Sequence, residues 1–281
     1  MSATGSLFAP KSATSEVFLE VAIDLVRQAG ALLRQGHQSG PGQVLHKSSA
    51  VDLVTEYDLA SEQLIVAGLR QRFPDHAIYG EETGGELAAA GPVWVVDPLD
   101  GTTNFAHGYP VFCVTLALLV DGQPELGVTY DPLRDELFWA QRGQGAWGNQ
   151  GRLRVSTSTE LSNSLLATGF AYDRASSSDN NLAEFSYFVP RTRGVRRGGS
   201  AALDIAWVAA GRLDGYWERG IQAWDLAAGV LLVREAGGIA TTYNGQPWQP
   251  GDRNVAAANS VLHTALLEGL QIARLGLPAP N

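Results

Sequence analysis

Residues 94–110, WVVDPLDGTTNFAHGYP, carry the reading on which the fold turns. The apolar run Val93–Val96 is a buried strand that delivers Asp97 at its carboxyl end. Pro98 is expected to stop the strand, and the backbone then turns so that Asp100 faces the same point. Gly101, Thr102 and Thr103 follow, with Asn104 and Phe105 able to start a short helix, which predicts free backbone N–H groups beside the acid pair. Carboxylates hold hard divalent cations and N–H groups hold a phosphate. Side by side they describe metal-assisted phosphoryl hydrolysis. Taken alone, DPLDG also reads as an ordinary turn in which Asp97 is only a capping residue.

Working outward, other acids fall at the ends of elements. Tyr79-Gly80-Glu81-Glu82-Thr83 places acids after a short strand, and Trp224-Asp225 places one in the first turn of a helix. The plain alternatives are a solvated surface pair for Glu81 and Glu82 and a helix N-cap for Asp225. Gly198-Gly199-Ser200-Ala201 opens another helix behind Arg193, Arg196 and Arg197, and Ser200 alone is an N-cap. Upstream, Val17, Val21, Leu25, Ala29, Leu32 and Leu33 mark an amphipathic helix over 15–35. A second begins near Thr55, whose spacing to Asp58 fits a capping box, and ends by Pro74. Short buried strands are expected at 77–79 and 93–96, the runs at 112–120, 126–130 and 136–141, separated by turns at DGQP and DPLRD, predict an antiparallel meander, and Gly143–Gly151 a loop. Beyond about residue 153 strands alternate with helices: strands at 165–169, 193–197, 213–218, 238–243 and 255–258, helices at 181–189, 200–211, 225–236 and 260–274. The expected organisation is a loose arm over 1–14, an α+β half over 15–155 and an α/β half over 156–281.

Composition narrows the function classes. The chain has 281 residues with 45% hydrophobic and 17% charged, which is globular and neither disordered nor coiled coil. A formal net charge of −9 disfavours nucleic acid and anionic membranes as partners. No apolar stretch approaches the ~20 residues of a spanning helix, and the start MSATGSLFAPKSATS lacks the basic-then-apolar pattern of a secretory signal. A cytoplasmic location is expected. Cys113 is the sole cysteine, so neither an internal disulfide nor a thiolate metal cluster can form. His37, His46, His76, His107 and His263 show no metal-ligand spacing and read as surface or loop residues, while Trp94, Trp139 and Trp207 read as core.

GEET at 80–83, the 94–110 segment and GSAALDIAWVAAGRLDGYWERGIQAWDLAAGVLLVREAGG at 199–238 together resemble the Mg2+-dependent, Li+-sensitive inositol monophosphatases, with likeness continuous from about Lys47 to Ala258. The resemblance implies the layered αβαβα sandwich of the inositol monophosphatase and fructose-1,6-bisphosphatase superfamily, α+β in its first half and α/β in its second. It implies two or three Mg2+ ions: Glu81, Asp97 and the carbonyl of Leu99 at one site, Asp97, Asp100 and Asp225 at another, and Glu81 again facing a weaker third. Thr102 and Asp58 would place the attacking water, Asp58 being equally well read as the capping-box acid. Glu82 stands behind the ligands. Gly101 and Thr102 would hold the phosphate; Asp100, Gly199, Ser200, Ala201, Glu218 and Asp225 would contact the substrate. The implied partner is a small phosphate monoester, most of all myo-inositol 1-phosphate, and the implied assembly a homodimer. Histidinol phosphate, nucleotide and sugar-bisphosphate hydrolysis in the same superfamily, and a metal- and sugar-phosphate-binding regulator, are the alternatives. TTNFAHGYP after DPLDG favours the inositol branch.

Overall fold

The computed structural model describes residues 13–40, 42, 44–46, 53–88 and 90–276. Helix α1 (Ala13–Ser39) takes in the last two residues of the expected arm, whose remainder lies outside the described residues. Strands β1 (Val44–His46) and β2 (Leu53–Thr55) form a small antiparallel ribbon. Helix α2 (Glu56–Arg72) starts as its sequence predicts: Thr55 Oγ1 accepts from the Tyr57 N–H, and Asp58 Oδ2 accepts from the Thr55 N–H at 2.7 Å.

A seven-stranded sheet follows in the order β3-β4-β5-β6-β7-β8-β9. Its strands are β3 (Ala77–Gly80), β4 (Pro92–Asp100), β5 (Cys113–Val120), β6 (Gln123–Asp131), β7 (Glu136–Gln141), β8 (Ala146–Gly148) and β9 (Gly151–Arg152), with the short helix α3 (Thr102–Ala106) between β4 and β5. The expected meander is β5 to β7, antiparallel pairing extends it to β4 on one side and to β8 and β9 on the other, and β3 lies parallel to β4. The loop expected at 143–151 instead contains β8 and the turn into β9, since Ala146 and Trp147 pair with Ala140 and Trp139. Its glycines turn the chain at either end of this short strand rather than forming an irregular loop.

The remainder builds β10 (Leu165–Thr168), α4 (Leu182–Phe188), β11 (Gly194–Arg196), α5 (Ala201–Ala209), β12 (Gly215–Arg219), α6 (Ala223–Glu235), β13 (Ile239–Thr241), β14 (Asn254–Ala258) and α7 (Ser260–Leu275). Its five strands order as β11-β10-β12-β14-β13. Helices α1 and α2 cover one face of the large sheet, α5 and α6 lie between the sheets, and α4 and α7 cover the far face of the smaller one. The result is the expected αβαβα sandwich.

Burial of both faces of the large sheet explains why its central strands read as continuous apolar runs. Along β4 the side chains alternate: Val93 and Val95 enter the core shared with α5 and α6, and Trp94 and Val96 the core under α1 and α2. The inner core draws on both halves of the chain, from Val93 through Ala257. His263 departs from expectation. It is buried on α7, and its Nε2 lies 3.0 Å from Thr241 Oγ1, because the helix face that carries Leu262, Leu266 and Leu270 into the outer core takes the imidazole with it.

The inner helices approach the large sheet closely. A Cβ on Gly127 of β6 would fall 2.7 Å from the Ala228 Cα of α6, so glycine is needed there for space. Gly127→Val should therefore destabilise the protein by about 1–3 kcal/mol through overpacking, read as a lower urea midpoint. Gly251→Ala, where an added methyl meets nothing within 4 Å, is the control expected to stay near wild type. Equal midpoints for the two variants would show that α6 and β6 are not in tight register.

Candidate active site

Pro98 does not end β4. The strand continues to Asp100 through a bulge, in which Asp97 pairs with Thr115 and Asp100 with Cys113, so three steps on β4 match two on β5. Asp97 and Asp100 would point to opposite faces of a regular strand. The extra residue restores both to the inner face, the side of Val93 and Val95. Pro98 is tolerated because β3 pairs only with Val93–Val96, which leaves no ladder on that side to need its missing N–H. Glu81 joins from the next strand: its N–H donates to the Val96 carbonyl at 3.1 Å.

Asp225 arrives from the second half of the chain, at the third position of α6, where its Oδ2 accepts from the Gln222 N–H at 2.8 Å. One carboxylate oxygen from each of Asp97, Asp100 and Asp225 lies within 4.8 Å of the others. Burial, then the charges of Glu81, Asp100 and Asp225, push the Asp97 carboxyl well above the usual range. Burial and then the charge of Asp100 do the same for Asp225. No Lys or Arg pairs with Asp97, Asp100 or Asp225 among the described residues. A buried, all-carboxylate donor set without a protein counter-charge fits a hard divalent cation.

Asp100 also reaches across the molecule. Its Oδ2 accepts from Ser200 Oγ at 2.6 Å and from the Ala202 N–H at 2.7 Å, at the start of α5. Ser200 caps that helix, its Oγ accepting from the Leu203 N–H at 3.4 Å, while its one proton goes to Asp100. Asn104 Nδ2 reinforces the junction by donating to the Val111 and Gly198 carbonyls at 2.7 and 2.9 Å. Gly101, at φ +96°, leads into α3, and a Cβ there would fall 2.9 Å from the Val111 carbonyl oxygen and 3.3 Å from that of Gly199. Only glycine suits both the conformation and the space.

The two carboxylate oxygens of Asp58 have separate partners. Oδ2 is the capping acceptor, and Oδ1 accepts from Thr102 Oγ1 at 2.8 Å. The Leu99 carbonyl is a second acceptor, 3.0 Å from the same hydroxyl. Burial raises the proton affinity of Asp58 against the lowering effect of its Thr55 and Thr102 hydrogen bonds.

A cleft of about 640 Å³ opens in front of these groups, lined by Glu81, Asp225, Gly199, Ser200, Ala201 and Glu218 among others. Asp97, Asp100, Thr102 and Asp58 do not line it and are buried. Glu218 is not the ion-pair partner of Arg219, which bonds Asp173 through both terminal guanidinium nitrogens and pairs with Asp179 through Nε. Its Oε2 instead accepts from Tyr216 Oη at 2.5 Å. Burial pushes its carboxyl up to about 7, against the lowering effects of the Tyr216 hydrogen bond and the Arg197 charge. A side chain at Gly169 would collide with this carboxylate.

Several polar groups behind the site escape a reading of motifs. Ser61 Oγ donates to the Pro98 carbonyl at 2.8 Å, Glu62 reaches the 80–83 turn, and Asp204 lies buried behind Gly198 with Oδ1 unpartnered among the described residues. The available signal was position: Asp58, Ser61 and Glu62 stand three and four residues apart on α2, on the face that also buries Ile65 and Leu69.

The model of the inositol monophosphatase family matches residues 14–274. An inositol-1-monophosphatase of Synechocystis is 47% identical over 96% of this chain and 93% of its own. A Nus factor SuhB of Pseudomonas aeruginosa is 44% identical over 90% and 95% of the two chains. The solved structure of the inositol monophosphatase from Anabaena (Nostoc) superposes with a TM-score of 0.84 at 44% identity, covering 95% of this chain and 98% of that one. Likeness of this extent reaches from α1 to α7 through both halves of the chain, and it makes the chain a member of the inositol monophosphatase family, a hydrolase of phosphate monoesters.

Proposed function

We propose that the phosphate monoester cleaved here is carried on a hydroxylated ring, and that myo-inositol 1-phosphate is the substrate. The supporting observation is Glu218, whose Oε2 is held by Tyr216 and whose carboxylate lines the cleft that Asp225 also lines. A carboxylate with acceptor capacity left over suits vicinal hydroxyl donors. Asp97, Asp100, Asp225, Glu81 and the Leu99 carbonyl would hold Mg2+, which when bound neutralises the phosphate, lowers the pKa of water and stabilises the leaving oxygen.

The chain's own groups do the rest. Asp58 Oδ1 draws the Thr102 hydroxyl proton toward itself, so the Thr102 oxygen can accept from the attacking water and aim it. Gly101 and Thr102 present N–H groups to the phosphate at the start of α3. Gly199 and Ala201 border the ring, and Ser200 holds Asp100 in place. Water adds to phosphorus, the ester P–O bond breaks, and the alcohol leaves with a proton. The 15–155 half supplies most of the acids and the 156–281 half supplies Asp225 and the ring contacts.

Lithium sensitivity, a homodimer and a cytoplasmic setting belong to the same reading. Histidinol phosphate is the second substrate to test, beside the adenosine bisphosphate and fructose 1,6-bisphosphate. The Nus factor name of the Pseudomonas relative brings in a regulatory role; a role without turnover would leave the intact carboxylate set without a use. Phosphate release with Mg2+ across these substrates decides the assignment, and inositol 1-phosphate is expected to give the highest kcat/KM.

Divalent cations should stabilise the fold as well as activate it, because the carboxylates repel one another. Mg2+ at a hundredfold excess over its dissociation constant adds about 2.7 kcal/mol, visible as a higher Tm. Asp97→Asn removes one repelling charge. It should raise the Tm of the metal-free protein, shrink the Mg2+ shift and lower turnover by more than about a hundredfold. A full Mg2+ shift with turnover within about tenfold of wild type would reduce Asp97 to a turn residue.

Glu218→Gln should be selective. It loses a charge-assisted bond of about 1.5–3 kcal/mol, or about ten- to a hundredfold in kcat/KM for inositol 1-phosphate. Hydrolysis of p-nitrophenyl phosphate, which lacks the ring hydroxyls, should stay near wild type. Equal losses on both substrates would remove Glu218 from substrate recognition.

A further inference from the structure

Glu62 is a buried carboxyl in the large-sheet half that the chemistry above does not use. It is 1% exposed, and no Lys or Arg pairs with it among the described residues. Its Oε2 is buried without a hydrogen-bond partner among the described residues. A carboxyl kept in such a place must be held by what its other oxygen does. Oε1 accepts from the Glu82 N–H and from Thr83 Oγ1, both at 3.3 Å, after reaching twenty residues along the chain.

The segment it grips is closed on itself. Gly80 N–H donates to the Gly84 carbonyl at 2.9 Å, and Gly84 N–H returns the bond to Gly80 at 3.0 Å. Glu81 lies inside this closed turn. Its own N–H is fixed on Val96, the residue before Asp97, and the next N–H is fixed on Glu62. Gly80 shows that the fit is tight. Its φ is not in the left-handed region, so glycine is not required for conformation, yet any Cβ there would collide with Glu62 Oε1.

We propose that Glu62 is the positioning residue for Glu81: its carboxylate, seated under the 80–84 turn, fixes the turn so that the Glu81 carboxylate faces Asp97, and so sets how tightly the site binds a divalent cation. Helix α2 is then one strut for three segments of the site, since Asp58 holds Thr102, Ser61 holds the Pro98 carbonyl and Glu62 holds the Glu81 turn. The inference rests on Glu81 being a cation ligand.

Mg2+ titrated calorimetrically into metal-free full-length protein tests it, with turnover measured in parallel. Glu62→Ala should weaken Mg2+ binding by about tenfold or more and raise the Mg2+ needed for half-maximal turnover, leaving substrate KM at saturating Mg2+ unchanged. Glu62→Gln keeps an acceptor oxygen for both bonds and should return affinity to within about threefold of wild type. Wild-type Mg2+ affinity in Glu62→Ala overturns the proposal, and so does a Glu62→Gln as weak as Glu62→Ala. If Glu62→Ala does not fold, Thr83→Val removes one of the two bonds and should still weaken Mg2+ by about threefold; unchanged affinity there overturns the proposal as well. Glu81→Gln separates the two layers. Unchanged Mg2+ affinity in that variant removes the ligand reading and the inference with it, whereas weakened binding there beside an unaltered Glu62→Ala removes only the inference.

Discussion

Buried carboxylates with no basic partner repel one another, and the fold is arranged to hold them together despite this. Asp97, Asp100 and Asp225 come from two sheet positions and a helix in different halves of the chain, and their oxygens still meet within 4.8 Å. Each is pinned by donors that do not neutralise it: the Leu99 N–H on Asp97, Ser200 Oγ and the Ala202 N–H on Asp100, and the Gln222 N–H on Asp225. Hydrogen bonds fix direction and leave the charge to be met by a cation. Lysines in their place would have satisfied the charge and closed the site.

Two helix starts serve this arrangement. The first turns of α5 and α6 carry free N–H groups and a partial positive charge, and each faces an acid, Asp100 at α5 and Asp225 at α6. Because α5 and α6 are packed between the sheets, these ends cannot drift. Gly127 against Ala228 and Gly229 against Ile205 are the close approaches that set their distance from the sheet and from each other. Core packing and site geometry are thus one constraint, and a methyl group added far from the carboxylates displaces the helix that carries one of them.

Much of this was legible in the chain. Local rules located the capping box at Thr55, the central meander and the alternation of strands and helices beyond residue 153, whereas the capping box between Gln222 and Asp225 reads in the sequence only as an N-cap acid. The apolar run before Asp97, together with acids at two other element ends, pointed to the cluster. What was not legible depends on a partner distant in sequence. The bulge that rotates Asp100 exists only relative to β5, so from the sequence Pro98 read as a strand terminus. The bond from Ser200 to Asp100 spans a hundred residues, and a Ser before a helix reads as a cap whether or not its proton goes elsewhere. His263 and the 146–148 strand went astray for a similar reason: one follows a helix face, the other a register.

Asp58 shows how one acid can cap a helix and hold a distant residue at the same time. Its two oxygens are separate acceptors: Oδ2 saturates the start of α2 and Oδ1 faces Thr102. The cap is what makes the second contact exact in direction, since a carboxylate fixed by two bonds at one oxygen cannot swing the other away from its target. A solvated acid at the same place would lose that orientation to rotamer freedom. The informative signal is therefore the burial of a polar face on α2, where Asp58, Ser61 and Glu62 replace apolar residues beside Ile65. A helix gives up hydrophobic contact on its inner side only where something opposite must be held.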